Sequence, residues 1–201
     1  MKYRRGEIGW AIFTLAYLVA FTPYFLATRN YEFLWYIAVV FVVFGLMCVT
    51  LHRTQFDYLV LGGLSLWGLL HMAGAGVVVQ GDILYSLHLL PIVDGGEDFF
   101  ILKFDQVVHF WGFGVTTLLA HDLLRHYLNE QTNYWVVYPL LVLVGMGFGA
   151  LNEIIEFVAV VVFPETGVGG YYNTSLDMIF NSLGAIAAVA VIHYKRTASA
   201  N

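Results

Sequence analysis

The sequence predicts an all-α polytopic membrane bundle of six transmembrane helices, in a single integral membrane domain covering residues 1–201, and three observations carry that expectation. Among its 201 residues 60% are apolar and only 11% charged, and the mean hydropathy is +0.75, well outside the range of soluble domains. Apolar residues arrive in runs of about 20, the length a hydrocarbon layer of ~30 Å demands of a spanning helix. Between the runs gather Arg, Asn, Asp, Gln, Pro and Gly, the residues of connections.

The first span, about 8–27, follows Lys2, Arg4 and Arg5 as a secretory leader would, but its apolar run is long and no small-x-small cleavage site closes it. It reads as an anchor that stays, with Pro23 tolerated because neighbouring helices satisfy the carbonyl it frees. Spans two and three occupy about 32–51 and 57–79. The connection 80–104 then carries Ile83, Leu84, Leu87 and Leu90 at helical spacing between Asp82 and Pro91, which predicts a short interfacial helix, either an ordered segment resting on the bundle or a lid. Spans four, five and six follow at about 105–124, 136–160 and 175–194.

Orientation follows from the basic residues, which stay on the cytoplasmic side. Lys2, Arg4, Arg5, Arg53, Arg125, Lys195 and Arg196 fall on one side of a six-span chain, and Arg29 and Lys103 on the other. Both termini are therefore expected in the cytoplasm, in a multi-pass protein of the cytoplasmic (inner) membrane. Asp82, Asp94, Glu97, Asp98 and Glu165 lie in the connections this arrangement places outside. The net charge of −5 gives no basic surface for nucleic acid, so membrane lipid is the expected partner. Cys48 is the only cysteine and sits in an apolar run, which excludes an intrachain disulfide and a thiolate metal cluster.

Ionised groups inside a span are costly and are kept for pairing, transport or chemistry. Asp105, His109, Gly112 and Thr116 recur at intervals of three and four along span four. Span five carries Gly145, Gly149, Asn152, Glu153 and Glu156 in the same way, and span six Thr174, Asp177, Asn181, Gly184 and Ala188. Small residues let backbones approach in lipid, so these stripes are expected to face one another with their acids level in the outer half of the membrane. His71, about two-thirds along span three, looks up at the same place.

The expected cluster is thus Asp105, His109, Glu153 and Asp177 as metal ligands or acid/base groups, Glu156 as a further ligand, and His71, Asn152 and Asn181 in support. Four carboxylates and two imidazoles in one low-dielectric space cannot all keep full charge. A divalent cation resolves this, with a donor set that does not separate zinc, magnesium and manganese. Shared protons, as in a proton- or cation-coupled transporter, or hydrogen-bonded acids in a non-catalytic structural or partner-binding protein, resolve it too. His52, His121, His126 and His193 lie near the cytoplasmic ends and read as headgroup contacts, and His88 as a loop residue.

The runs FDQVVHFWGFG (104–114), NEIIEF (152–157) and YNTSLDMIFNSLGA (172–185) resemble the VanZ-like superfamily, and within it the YjdF-like branch of inner-membrane proteins. The resemblance covers roughly 71–190; Asp105, His109, Phe110, Glu153, Asp177, Asn181 and Gly184 match its pattern. Gln106 stands where the pattern has lysine, Glu156-Phe157 replaces a glutamine-containing stretch, and the arginine before the last aspartate is missing. VanZ-like proteins are associated with low-level lipoglycopeptide resistance acting through the cell envelope. The leading expectation is that the acidic/histidine pocket handles a lipid-linked or amphiphilic envelope substrate.

Overall fold

The computed structural model describes residues 3–96, 99–163, 166 and 168–200. Glu97, Asp98 and Glu165, and the side chains of His52 and Arg53, lie outside the described residues. Six long helices follow in order: α1 (Arg5–Ala27), α2 (Tyr31–Thr54), α3 (Tyr58–Gly76), α4 (Phe104–Leu124), α5 (Tyr134–Val162) and α6 (Tyr171–Ala200). Each contains a stretch long and apolar enough to cross a membrane. Local chemistry fixes the starts: Asn30 accepts from the Phe33 amide, Asp57 from Leu59 and Asn133 from Trp135, each satisfying an amide that lacks a helical partner.

The helices run alternately up and down. At one end Arg4 of the N-terminus reaches the Phe56 carbonyl at 2.5 Å, Arg125 after α4 reaches the Gln55 carbonyl, and Lys195 of α6 lies 3.4 Å from Asp57. Tyr138 near the start of α5 meets His193 near the end of α6 at that same end. The termini, the 55–57 corner and the 125–133 connection thus share one end, and the 77–103 connection and the start of α6 share the other.

Helix α4 is the hub, packed against α3, α5 and α6. Apolar side chains are no scarcer in lipid than in protein, so close packing rather than water exclusion must hold such helices together. The closest approach is between α4 and α6: a Cβ on Gly184 would lie 2.1 Å from the Phe110 carbonyl oxygen, and one on Gly114 3.1 Å from the Gly184 oxygen. Gly145 similarly lies against Thr117 and Ala185. Gly112 departs from the expected stripe, because it faces α3 and makes room for Trp67. A separate core of Tyr17, Leu18, Phe25, Phe33, Tyr36 and Met72 joins α1, α2 and α3.

The 80–104 connection is not a helix, which corrects the expectation of a short interfacial one. Val78–Val79 and Asp82–Ile83 pair as a minimal hairpin, Leu84–Ser86 form one 3-10 turn, and strands His88–Asp94 and Phe100–Lys103 pair antiparallel. The reasons are local. Gln80 and Gly81 both adopt positive φ, which reverses the chain at once, and Pro91 denies a helix its amide. The β-branched Ile92 and Val93 suit the strand that results.

Gln106, the residue that replaces the lysine of the VanZ-like pattern, ties this hairpin to α4. It is fully buried; its Oε1 accepts from the Leu102 and Lys103 amides at 2.7 and 3.1 Å, and its Nε2 donates to the Phe100 carbonyl at 3.0 Å. Leu102 sits at φ 87°, a conformation unfavourable for a side chain of its size, and the Gln106 bond to its amide helps hold it there. A lysine has no acceptor and would leave both amides unpaired.

Candidate functional site

The site forms where α4, α5 and α6 meet at the hairpin end. Asp105 and His109 stand one turn apart on α4, Asn152, Glu153 and Glu156 occupy one face of α5, and Asp177 and Asn181 one turn apart on α6. The structure brings all seven together around the His109 imidazole, which is buried. His109 Nε2 lies 3.5 Å from Asp105 Oδ1 and 4.0 Å from Glu156 Oε1, and Nδ1 lies 3.7 Å from Glu153 Oε1. Nδ1 also lies 3.0 Å from Asn181 Oδ1.

Asn181 Oδ1 is an acceptor and takes a hydrogen bond from Nδ1, while Nε2 faces the Asp105 and Glu156 carboxylates. Those contacts are longer than the ~2.7–2.9 Å of a charge-assisted hydrogen bond. Two groups, Asp105–His109–Asp177 and His109–Glu153–Glu156, each present ligand atoms within 4.8 Å of one another. Ligand atoms about 2.1 Å from a shared ion are themselves separated by about 3.0–3.4 Å, so modest closure would seat a cation in either group.

The remaining hydrogen bonds are unevenly shared. Asn173 Nδ2 donates to Asp177 Oδ2 at 2.6 Å and reaches Asp105 Oδ2 at 3.3 Å, bridging the two aspartates. Asn152 Nδ2 donates to Glu156 Oε1 at 2.6 Å. Asp177 is fully buried, yet its Oδ1 has no hydrogen-bond partner; Glu153 Oε1 and Asn181 Nδ2 are also without one. Buried polar atoms of this kind are costly when left unsatisfied, which makes the Asp177 Oδ1 position one that asks for a cation or a proton. Room for the Asn181 amide comes from Gly149, where a Cβ would lie 2.7 Å from Nδ2.

His71 lines the same cleft as Asp105 and Glu156 and makes its own contacts with aromatic residues. Its ring packs against Phe33, Tyr36 and Tyr85, and its Nδ1 is hydrogen-bonded to the Tyr85 hydroxyl, which donates to the His71 carbonyl at 3.1 Å. Tyr85 belongs to the 3-10 turn of the connection, and Gly74 leaves the space its ring fills. Burial, reinforced by the Asp105 and Glu156 carboxylates, raises the Tyr85 hydroxyl pKa well above its ordinary value, so it stays protonated. His71 and Tyr85 therefore close one wall of a cleft whose other walls are Glu32, Tyr36, Asp105, Glu156 and Asn173.

Three residues of this cleft escaped the sequence reading. Asn173 lies before the apolar window of span six, although the resemblance run includes it. Glu32 and Tyr36, both buried, open α2. A single glutamate at the head of a span has the signature of a headgroup-level residue, and only the packing of α2 on α3 turns it inward.

Residues 10–198 match the family described as predicted membrane protein (DUF2238). The chain belongs to this family. A Thermotoga maritima protein described as uncharacterized is 28% identical over 102 residues, covering 48% of this chain and 51% of the relative, so the match spans about half of that protein. No solved structure matches the chain.

Proposed function

We propose that this DUF2238 member holds one divalent metal ion in its Asp/His/Glu cluster, on the extracytoplasmic side of the cytoplasmic membrane, and acts there on a lipid-linked or amphiphilic envelope substrate. The observation that carries the reading is Asp177, fully buried with its Oδ1 lacking a hydrogen-bond partner, in a carboxylate that has an oxygen within 4.8 Å of ligand atoms of His109 and Asp105. Such a carboxylate oxygen fits a cation better than an apolar wall.

In this reading Asp105, His109 and Asp177 are ligands. Asn181 holds the proton on Nδ1 so that Nε2 keeps its lone pair, and Asn173 fixes the two aspartates relative to each other. Glu153, beside Nδ1, and Glu156, beside Nε2, would take or return a proton. A bound metal would supply polarisation of a phosphoryl or acyl group. Sidedness rests on the basic residues: Arg4, Arg5, Arg125, Lys195 and Arg196 share the end opposite the cluster. The VanZ-like resemblance of the same residues favours an envelope substrate. Transport finds less support, because the half of the α4–α6 interface away from the cluster is closed by Gly114 against Gly184 and Thr117 against Gly145.

Elemental analysis of detergent-purified protein tests the reading. Stoichiometric divalent metal in wild type, absent from His109→Ala and Asp177→Asn, is the expected result. Equal, substoichiometric traces in all three would overturn it in favour of proton handling or structural pairing.

A further inference from the structure

A second, groove-shaped cavity of about 190 Å³ lies between α1, α2, α3 and α5, open along one side. Its walls include Ala11 and Thr14 of α1, Val39, Val43 and Met47 of α2, and Leu64 of α3. Along α2 its lining runs from Tyr36 to Leu51, about 22 Å at 1.5 Å per residue, most of the depth of a hydrocarbon layer. The cause is visible in α2, which is pinned at its two ends. Phe33, Tyr36 and Ile37 enter one core and Leu51 another, with Phe56 and Leu61; Val40 and Met47 pack at the edges of these cores, and Val39, Val43 and Phe44 line the groove between them.

We propose that this groove holds the hydrocarbon chain of the amphiphile whose polar head lies at the acidic cluster; the placement of the head rests on the reading given above. Three observations converge. Apolar space of this size between packed helices is costly if left empty, and within a bilayer the material that fills it is hydrocarbon. The groove's lining is mostly apolar, and two of its hydroxyls, Thr14 and Ser65, are hydrogen-bonded together. A water-filled route would leave such groups facing the lumen. Finally, Tyr36 and His71 line both this groove and the acidic cleft, and groove-lining Asn152 donates to Glu156, so the groove's hairpin end abuts the site. The arrangement has the polarity of a lipid: charge at one level, a straight apolar track beneath it.

Photo-crosslinking tests this on the full chain in phosphatidylcholine–phosphatidylglycerol vesicles doped with a phosphatidic acid carrying a diazirine in mid-chain. Adducts on Val40, Phe44 and Met47 report the groove, and adducts on Val42 and Val49, exposed on the opposite side of α2, report bulk lipid. The groove face is expected to be labelled several-fold more than the lipid face in wild type. Val43→Trp and, separately, Met47→Trp should bring the ratio to unity while the lipid-face adducts persist. Equal labelling of both faces in wild type overturns the proposal without recourse to any variant, as does a ratio unchanged in both filled variants. Metal content of the same samples keeps the two readings apart: metal without groove labelling removes the groove alone, and groove labelling without metal removes the metal while the chain track stands.

Discussion

The two halves of the molecule solve opposite packing problems. In α4–α5–α6 glycines face glycines, threonine and alanine, backbones nearly touch, and ionisable groups are carried at the end of each small-residue stripe. In α1–α2–α3 the contacts are made through side chains, with aromatic rings of α1 against glycines of α3 and α2 held mainly near its two ends, and space remains between. Backbone-to-backbone contact is rigid because nothing in it can rotate away, and that rigidity is what a cluster of four carboxylates around one imidazole needs. Side-chain contact leaves room and adjusts, which suits a surface that meets lipid.

The contrast is most sharply tested with glycines. Gly184→Ala places a Cβ 2.1 Å from the Phe110 oxygen, a backbone atom that cannot yield unless α4 and α6 part. We expect a loss of about 3 kcal/mol or more in thermal unfolding in detergent, with loss of the cluster. Gly68→Ala, on α3, meets only the Tyr17 hydroxyl, the far end of a rotatable side chain, and should cost less than about 1 kcal/mol. Similar costs at the two positions would break the comparison.

Gln106→Leu comes next. It removes three hydrogen bonds from a buried position and leaves the Leu102 and Lys103 amides unpaired, so a cost of about 1–3 kcal/mol is expected, with faster hydrogen exchange across 88–103 and little change in α1–α3.

Asp177→Asn sharpens the comparison through its sign. In metal-stripped protein it removes a buried charge with one unsatisfied oxygen and should raise stability by about 1–2 kcal/mol; with metal present, the wild type should regain the advantage.

The smallest effect belongs to the terminus end. The Leu59 amide, aided by Lys195, holds the Asp57 carboxyl below its ordinary pKa. A depressed value adds stability above the unfolded pKa of about 3.9 and loses it as pH falls through the folded one. The difference between wild type and Asp57→Asn should therefore be slight at neutral pH, since asparagine also caps helices, and vanish in acid.

Much of this architecture was legible in the residues because the bilayer imposes it. Hydropathy fixed the number of spans, and the spacing of Asp105 with His109, Glu153 with Glu156, and Asp177 with Asn181 fixed their faces. What was missed depended on distant partners. Ile83, Leu84, Leu87 and Leu90 have a helical period, but the pairing of Val93 with Ile101 and the bonds of Gln106 to 100–103 lie outside any periodicity. His71 carried a plausible position for the cluster, yet its surroundings are set by Tyr85 and by aromatic residues of α2. Asn173 fell outside the span because hydropathy measures the apolar length of a helix, while α6 begins four residues before that length does.

The central claim is that these buried acids converge on His109 to receive one cation. Titration of chelator-stripped protein in detergent with Mn²⁺, followed by the electron paramagnetic resonance signal of the free ion, addresses it most directly. The account predicts that wild type removes one equivalent of signal and that His109→Ala and Asp177→Asn remove none. Undiminished signal with wild type, or equal uptake by all three proteins, would contradict it.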